Sequence, residues 1–593
     1  MTDVDKPRSP KVGKLRPSQV VTQHGPGAVV DLPELSVIVG GTNHWFTTGI
    51  DRVFEPRLEA FLHVRGLYRP PQPEPGKFGG VPSFVFPEWL VCPRCRQLGP
   101  FRDFHFRSSF GDFVCTRNDN RHGKGNPTTF PARFMVACAA GHLDDFPWKD
   151  WAHGGSVTCS GPLELIDTGS SGSASDLIVK CTSCDMQKPL GGAFQKDALA
   201  DCTGRQPWLA PKHYDAGCHE TVKTILRGAS NAYFPVVSSA LSIPPWSDPI
   251  QQELAPYREQ LKQAKSLDHL RAGIDGEFYD VDDLLDRYTV DQLWKALQAE
   301  PEEEEDLKRR EYIAFLHPEA KAADGRTEFE ISRRPVHTRY TDRFSLIVAA
   351  SRLREVRALR GFTRIDSIPD LGERTDVSEL EVRIAPLGLK EVDWLPGIDL
   401  RGEGVFVQLD QAALTTWEAQ SGVRKETARL AGQFEEWRKS RSMDDRPFPG
   451  MRYVLLHTLA HVLMRQLALD CGYSSSALRE RIYCKTGTDP MAGLLIYTAS
   501  SDSDGSLGGL VDQAVPDRLG PHLMDALRET AFCASDPLCG GGDIGAATNL
   551  NGAACHACLL LAETSCEFGN RLLDRATLVE TLGNRETAFF ETT

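Results

Sequence analysis

The chain has 593 residues, 41% of them hydrophobic and 25% charged. That balance belongs to a globular protein, and the length exceeds what one hydrophobic core supports, so roughly two to four domains are expected. The net charge of −14 argues against a protein that coats nucleic acid by charge alone. No run of eighteen apolar residues occurs; the longest candidate, 454–469, contains two histidines, an arginine and a glutamine, which excludes a membrane span.

The N-terminus, MTDVDKPRSPKVGKLRPSQ, has basic residues with no apolar run behind them. It reads as a flexible tail over 1–17 rather than a signal peptide. A cytoplasmic location is therefore expected, where thiols stay reduced. The charge is uneven. Residues 1–240 come to about +3, 241–450 to about −10 and 451–593 to about −7, which makes the first region the better place for phosphate contacts.

Taken in chain order, 18–82 reads as a β-rich domain. Its short apolar runs are broken by Gly25-Pro26-Gly27 and Gly40-Gly41, and it ends in a Pro/Gly linker at 69–82. Residues 83–240 hold the first cysteine cluster, with loops RNDNRHGKGNP and TGSSGSASD. Residues 241–340 read as acidic and helical, and Glu302–Asp306 as a solvated face. In the mixed α/β segment 341–450, a helix is expected over 341–361, strands with turns over 379–409 and a helix over 411–440. The last block, 451–593, opens with a helix closed by Cys471-Gly472. A strand GLLIYTAS, a polar turn SDSDGSLGG and a helix near 517–531 follow, and an amphipathic helix over 570–582 closes the fold. The fold class is multidomain α+β: a β-rich N-terminal region, a cysteine-rich zinc-ribbon-like region, a helical middle and an α/β C-terminal zinc module.

Sixteen cysteines in a reducing compartment need a reason, and paired CxxC units favour metal over disulfides. Two cysteines separated by two residues grip a zinc ion from one tight turn. Cys92 and Cys95 form such a knuckle, with Cys115, Cys138 and His142 as candidates to complete it. Cys181 and Cys184 form a second, followed by Cys202 and Cys218; Cys159 is left over. Cys555 and Cys558 form a third, beside Cys533, Cys539 and Cys566, which gives five candidates for four places. The set Cys533, Cys539, Cys555 and Cys558 is favoured, with Cys566 as alternate. Two or three structural Zn²⁺ sites are expected, and a closed four-ligand shell does no Lewis-acid chemistry. Cys471 and Cys484 read as core residues.

Enzyme signatures are missing. There is no GxxxxGK[ST] loop, no GxSxG elbow and no deaminase HxE…PCxxC order. His457 and His461 stand one helical turn apart like a zincin pair, but Thr458 occupies the place of the glutamate base. Both histidines read as core or hydrogen-bonded structural residues. Asp502-Ser503-Asp504-Gly505 reads as a polar turn rather than a calcium loop. Pro369-Asp370 with Glu381-Val382-Arg383 is a weak nuclease pattern, with arginine where lysine is needed.

The order HTLAHVLMRQLALDCGY, LRERIY, GLLIYTASSDSDGSLGGL, CASDPLC, ACHAC, CEFGNRLLDR resembles the zinc module at the C-terminus of certain superfamily 2 DNA helicases. The same module occurs in a helicase-free family, the DrmB subunits of the DISARM anti-phage defence system. QHGPGAVVDLPELSVIVGGTNHW, CPRC…ACAAGHLDDFPW, SRLREVRALRGFTRI and RGEGVFVQL resemble that family as well, so the likeness covers most of 15–590 and is weakest over 250–335. It implies a non-catalytic subunit that binds a superfamily 2 helicase, DrmA-like, and helps it engage foreign DNA. It also implies zinc on Cys533, Cys539, Cys555 and Cys558, and it supplies no catalytic residues. The alternatives are a cryptic metal-dependent nuclease using His457, His461, Asp502, Asp504 and the carboxylates near 370–381, or a free-standing DNA-binding zinc protein.

Overall fold

The structure is a computed structural model. It describes residues 13–591 apart from 34, 46–50, 74–78, 108–110, 156–158, 170–172, 301–305, 319–326, 367–383, 391–392, 441–446, 475, 499–508 and 541–549. Most of the acidic run at 302–306, the polar turn with Asp502 and Asp504, and the segment around Asp370 and Glu381 lie outside the described residues.

The architecture is mixed α and β. The centre is an antiparallel sheet of long strands: β1 (Phe234–Leu241), β2 (Glu330–Arg334), β3 (Phe344–Thr363), β4 (Trp394–Leu409), β5 (Leu478–Lys485) and β6 (Met491–Thr498). Their order is β1-β3-β4-β6-β5, with β2 also on β3, and Gly66–Tyr68 adds in parallel to the start of β4. Strands from the 341–450 and 451–593 segments thus lie in one sheet.

Strand β3 overturns the helix expected over 341–361. Its Leu, Ala, Arg and Glu content suits a helix, and no alternation flags a strand. The alternation is absent because both faces are covered: Leu346 through Ala350 and Leu353 through Leu359 are buried without interruption. The charged residues in it are neutralised inside the sheet. Arg354 donates to the Phe54 carbonyl (3.1 Å), to Ser242 Oγ (2.9 Å) and toward Asp399, and Arg357 pairs with Glu355 at 2.7 Å. Asp410 caps α1 (Gln411–Glu418) through the Ala413 N–H. A break at Ala419-Gln420 separates it from α2 (Ser421–Ser440), so the helix expected over 411–440 is two.

Helix α3 (Met451–Cys471) follows the Pro447–Gly450 breaker and ends at Gly472 in the left-handed conformation (φ 72°), a glycine C-cap. Fifteen of its 21 residues are buried around its circumference, because β5 and β6, α4 (Pro516–Thr530) and the tail near Arg575 pack on it from different sides. A helix apolar all round needs such cover on every side.

The expected helix over 570–582 is absent. Asn570 and Leu572 have positive φ (59° and 58°), and only Arg575–Thr577 makes a short 3₁₀ turn, capped by Asp574. Residues 572–579 are buried without a break, so their apolar spacing reflects an enclosed irregular tail.

The N-terminal half is built from short pieces. A six-stranded sheet runs Phe130–Pro131, Trp89–Val91, Gln97–Pro100, Leu163–Asp167, Leu177–Cys181, Gln187–Pro189, and a three-stranded one runs Leu143–Asp145, Phe134–Ala137, Lys223–Leu226. Residues 17–68 include helices Pro17–Thr22 and Pro56–Phe61 beside their short strands. Segment 249–316 is a set of short helices with its own small core around Leu254, Leu270 and Leu293. No described helix is long and apolar enough to cross a membrane.

Candidate metal centres

The first three groups of donors stand on turns of the N-terminal sheets. Cys92 and Cys95 lie in the hairpin turn between Trp89–Val91 and Gln97–Pro100. The Cys92 N–H donates to the Gln97 carbonyl and the Arg96 N–H to the Cys92 carbonyl, with Arg96 at φ 63°. Cys181 and Cys184 occupy the equivalent turn between Leu177–Cys181 and Gln187–Pro189, with Asp185 at φ 60° and the Cys181 N–H on the Met186 carbonyl. A third hairpin turn, between Phe134–Ala137 and Leu143–Asp145, carries Cys138 and His142 around Gly141 at φ 85°.

The fold completes these turns with donors from far along the chain. Cys92 and Cys95 meet Cys115 and His122: Cys95 Sγ is 3.8 Å from Cys115 Sγ, and Cys92 Sγ is 3.6 Å from His122 Nε2. Cys138 and His142 meet Cys202 and Cys218. There, His142 Nδ1 is 3.4 Å from Cys138 Sγ and 3.6 Å from Cys202 Sγ, and Cys138 Sγ is 4.0 Å from Cys218 Sγ. The Asp215 carboxylate stands 3.5 Å from the other ring nitrogen of His142, the outer-shell arrangement that orients a ligating imidazole. Cys181 and Cys184 meet Cys159 and His153, with Cys159 Sγ 3.7 Å from Cys181 Sγ. His153 Nδ1 lies 2.7 Å from the Lys149 carbonyl oxygen, so that nitrogen carries the proton. Nε2, enclosed without a hydrogen-bond partner, presents its lone pair to the sulfurs.

The fourth group is Cys533, Cys539, Cys555 and Cys558, just past the end of α4. Cys533 Sγ is 3.5 Å from Cys555 Sγ, and Cys558 Sγ is 3.7 Å from both Cys539 and Cys555. Cys566, the alternate for this group, lies elsewhere: its sulfur is 3.1 Å from His457 Nε2.

Two pairings expected from sequence order are therefore corrected. Cys138 and His142 do not complete the Cys92 knuckle, and Cys202 and Cys218 do not complete the Cys181 knuckle; the two sets are each other's partners. The reason is strand pairing, which places Phe134–Ala137 between Leu143–Asp145 and Lys223–Leu226 and so brings Cys138 to the segment carrying Cys202 and Cys218. Sequence order missed His122 and His153 as members and left Cys159 unplaced. Only a histidine a few residues from a cysteine hints at them, and that spacing is common. Two or three sites were expected, whereas the described residues form four cysteine-rich groups and one group of mixed donors. Cys471 and Cys484, expected in the core, are partly buried against the α3 cluster.

The separations fit a common ion. A tetrahedral zinc with zinc–sulfur bonds of about 2.3 Å places its sulfurs about 3.8 Å apart. The observed pairs lie at 3.5–4.0 Å, far beyond a disulfide bond of about 2.05 Å. The protonation pattern agrees. The Cys202 thiol beside it pulls Cys138 down to about 4 against the cost of burial, and Cys202 itself is raised by sharing that proton and by burial. In the fourth group, burial opposes ionisation of Cys555, yet the Ala557 N–H and the neighbouring thiols bring it to about 7; burial pushes Cys558 up to about 11. Four crowded sulfurs hold one charge comfortably, and a dication is what lets all four ionise.

Chemically these shells are closed. Each offers four soft or borderline donors and leaves no position for a substrate. His457 and His461 have no exposed surface.

An α+β protein tied by closed cysteine and histidine clusters is the class this geometry defines. Comparison with known proteins places the chain within that class. Residues 459–559 match the MrfA Zn-binding domain, and 16–234 match a domain of unknown function, DUF8724. The chain is 35% identical to the DISARM protein DrmB of Bacillus paralicheniformis over 581 residues, covering 94% of this chain and 98% of that protein. It belongs to the DrmB family. A crystal structure of the DUF1998 helicase MrfA bound to DNA matches at 10% identity with a TM-score of 0.18, over 35% of this chain and 21% of that one, a likeness too slight to carry any argument.

Proposed function

We propose that this chain is a non-catalytic subunit of a bacterial anti-phage defence complex of the DISARM type. It binds a superfamily 2 helicase in the cytoplasm and helps it engage foreign DNA. The observation that carries this is the family match over nearly the whole of both chains, including a relative named for DISARM. The zinc-binding domain at 459–559, named for the MrfA protein, supports a place beside a helicase. In this reading Zn²⁺ fills the four cysteine-rich groups: Cys92, Cys95, Cys115 and His122; Cys138, His142, Cys202 and Cys218; His153, Cys159, Cys181 and Cys184; and Cys533, Cys539, Cys555 and Cys558. The ions hold the docking surfaces in shape and take no part in chemistry.

In this reading DNA meets a groove of about 560 Å³ that Arg360, Arg479 and Arg571 line together with Glu355, Glu480, Glu563 and Glu567. Burial and the neighbouring Arg357 lower the pKa of the Arg479 guanidinium to about 10. A phosphate there would relieve that crowding, and phosphate contacts position a protein without reading sequence.

Co-expression with the helicase of the same defence cluster, followed by size-exclusion chromatography of each protein alone and together, tests the reading. A joint peak is expected, with ATPase activity confined to the helicase. Arg479→Ala is expected to leave the joint peak intact and weaken DNA binding by the complex several-fold. Separate elution of the two proteins would sink the proposal.

A further inference from the structure

Outside the four cysteine-rich groups, the fold gathers one more set of donors in its interior. His457 and His461 come from successive turns of α3, Glu480 from β5 and Cys566 from the irregular tail. Their ligating atoms all lie within 4.8 Å of one another, and His457, His461 and Glu480 have no exposed side-chain surface. His457 Nε2 is 2.9 Å from Glu480 Oε1 and 3.1 Å from Cys566 Sγ, and His461 Nε2 is 3.6 Å from Glu480 Oε1. A tetrahedral zinc with nitrogen, oxygen and sulfur donors has edges of roughly 3.3–3.6 Å.

We propose that this set, His457, His461, Glu480 and Cys566, binds a divalent transition-metal ion, zinc in the first instance, as a fifth centre distinct from the four-cysteine group.

Three observations carry it. First, hydrogen bonding alone leaves the set unsatisfied. His461 Nδ1 is 2.9 Å from the Leu559 carbonyl oxygen, which fixes the proton there and turns the Nε2 lone pair inward. Nε2 and Glu480 Oε2 are buried with no hydrogen-bond partner, and buried polar atoms are rarely left so. With Glu480 Oε1 already accepting from the Glu567 N–H at 3.0 Å, an ion held by His461 Nε2 and Oε2 would satisfy both. Second, the sulfur is prepared for negative charge: the Phe568 and Asn570 N–H groups donate to Cys566 Sγ at 3.4 and 3.2 Å. The positive φ of Asn570 (59°) belongs to the turn that aims them.

Third, the charges balance where they must. A thiolate, a carboxylate and two neutral imidazoles around a dication sum to zero, whereas three cysteines and a histidine leave one negative charge and four cysteines leave two. Net charge is costly to enclose. The set is enclosed accordingly: His457, His461 and Glu480 have no exposed side-chain surface, and only Cys566 is partly buried.

The residue match for the zinc-binding domain, 459–559, includes His461 and Glu480 but not His457 or Cys566, so half of this centre lies outside it. The Leu559 carbonyl that orients His461 directly follows Cys558, which couples the two centres through one residue. The ion would join helix, strand and tail, and its shell has no open position.

Native mass spectrometry of the full-length chain, expressed with zinc, counts the ions directly. Five are expected on the wild type, and one fewer on Cys566→Ser and on the double variant His457→Gln/His461→Gln. An equal count on wild type and both variants would overturn the proposal. If the variants do not fold, the wild type alone decides: four ions with Cys566 open to alkylation in the native protein overturns it, and five with Cys566 protected supports it. Helicase binding does not enter the readout, so this centre stands or falls separately from the proposed function.

Discussion

The two halves of the molecule solve the same problem in different ways. Between 83 and 226, strands run two to five residues and three donor groups sit on their turns. From 330 to 498, strands reach 16 and 20 residues, and one apolar core around α3 joins them to α1, α2 and α4. Strands of three residues bury too little to hold themselves, so ligation supplies the missing constraint. The C-terminal half carries the larger apolar core, and its donors tie ends to it. The difference teaches that donor groups sit on turns where strands are shortest and at chain ends where the core is larger.

Removing a knuckle from the first half should break this comparison most sharply. Cys181→Ser with Cys184→Ser takes two donors from one group, and structural zinc in small modules contributes on the order of 10 kcal/mol or more of apparent binding energy at neutral pH. The expected outcome is loss of one zinc equivalent and rapid proteolysis within 83–226, while the 330–590 fragment survives digestion. If the N-terminal half stays protected, its short strands suffice without ligation and the comparison fails.

How far this division was legible in the sequence follows from how local each signal is. The knuckles Cys92–Cys95, Cys181–Cys184 and Cys555–Cys558 announce themselves because one tight turn supplies both donors. Their partners do not: Cys159 reaches Cys181 from the neighbouring strand's end, 22 residues away, and Cys138 reaches Cys218 across 80 residues. Helix α3 was legible from its caps and apolar run. Strand β3 was not, because burial on both faces erased its alternation and left a helix-like composition. The tail at 570–582 misled for a related reason: 572–579 is buried whatever the residue, Asp574, Arg575 and Thr577 included, so its apolar spacing marks no helical face. His457 and His461 were read as enclosed structural residues, and they are buried. Nothing in their spacing reveals that Glu480 and Cys566 face them.

The second prediction probes the C-terminal half, where packing rather than ligation should decide. Glu311 is fully buried on the helix Leu307–Leu316 and accepts from Arg481 (2.5 and 2.8 Å), Tyr483 Oη (3.0 Å) and the Leu241 N–H (2.8 Å). Glu311→Ala strands a buried guanidinium, and breaking such a pair costs about 3–5 kcal/mol. Thermal unfolding should fall by several degrees with every zinc ion retained. A loss of metal on this substitution would mean that ligation and packing are not separable in this half.

The smallest effect is the most discriminating. Arg121 sits beside His122 on the 117–127 loop and pairs with Asp119 at 2.7 Å and Glu164 at 3.0 Å. It is half exposed, and such pairs contribute little once solvent screens them. If ion pairs hold this loop to the sheet, Arg121→Ala should loosen it and His122→Ala should do no more. If ligation holds it, the order reverses. Arg121→Ala should leave the melting temperature and the zinc count unchanged, whereas His122→Ala should weaken the ion at Cys92, Cys95 and Cys115 and raise proteolysis at the loop. The second outcome is the one the geometry favours, because His122 Nε2 stands 3.6 Å from Cys92 Sγ, at the edge of a site that three cysteines alone leave one donor short of a tetrahedron.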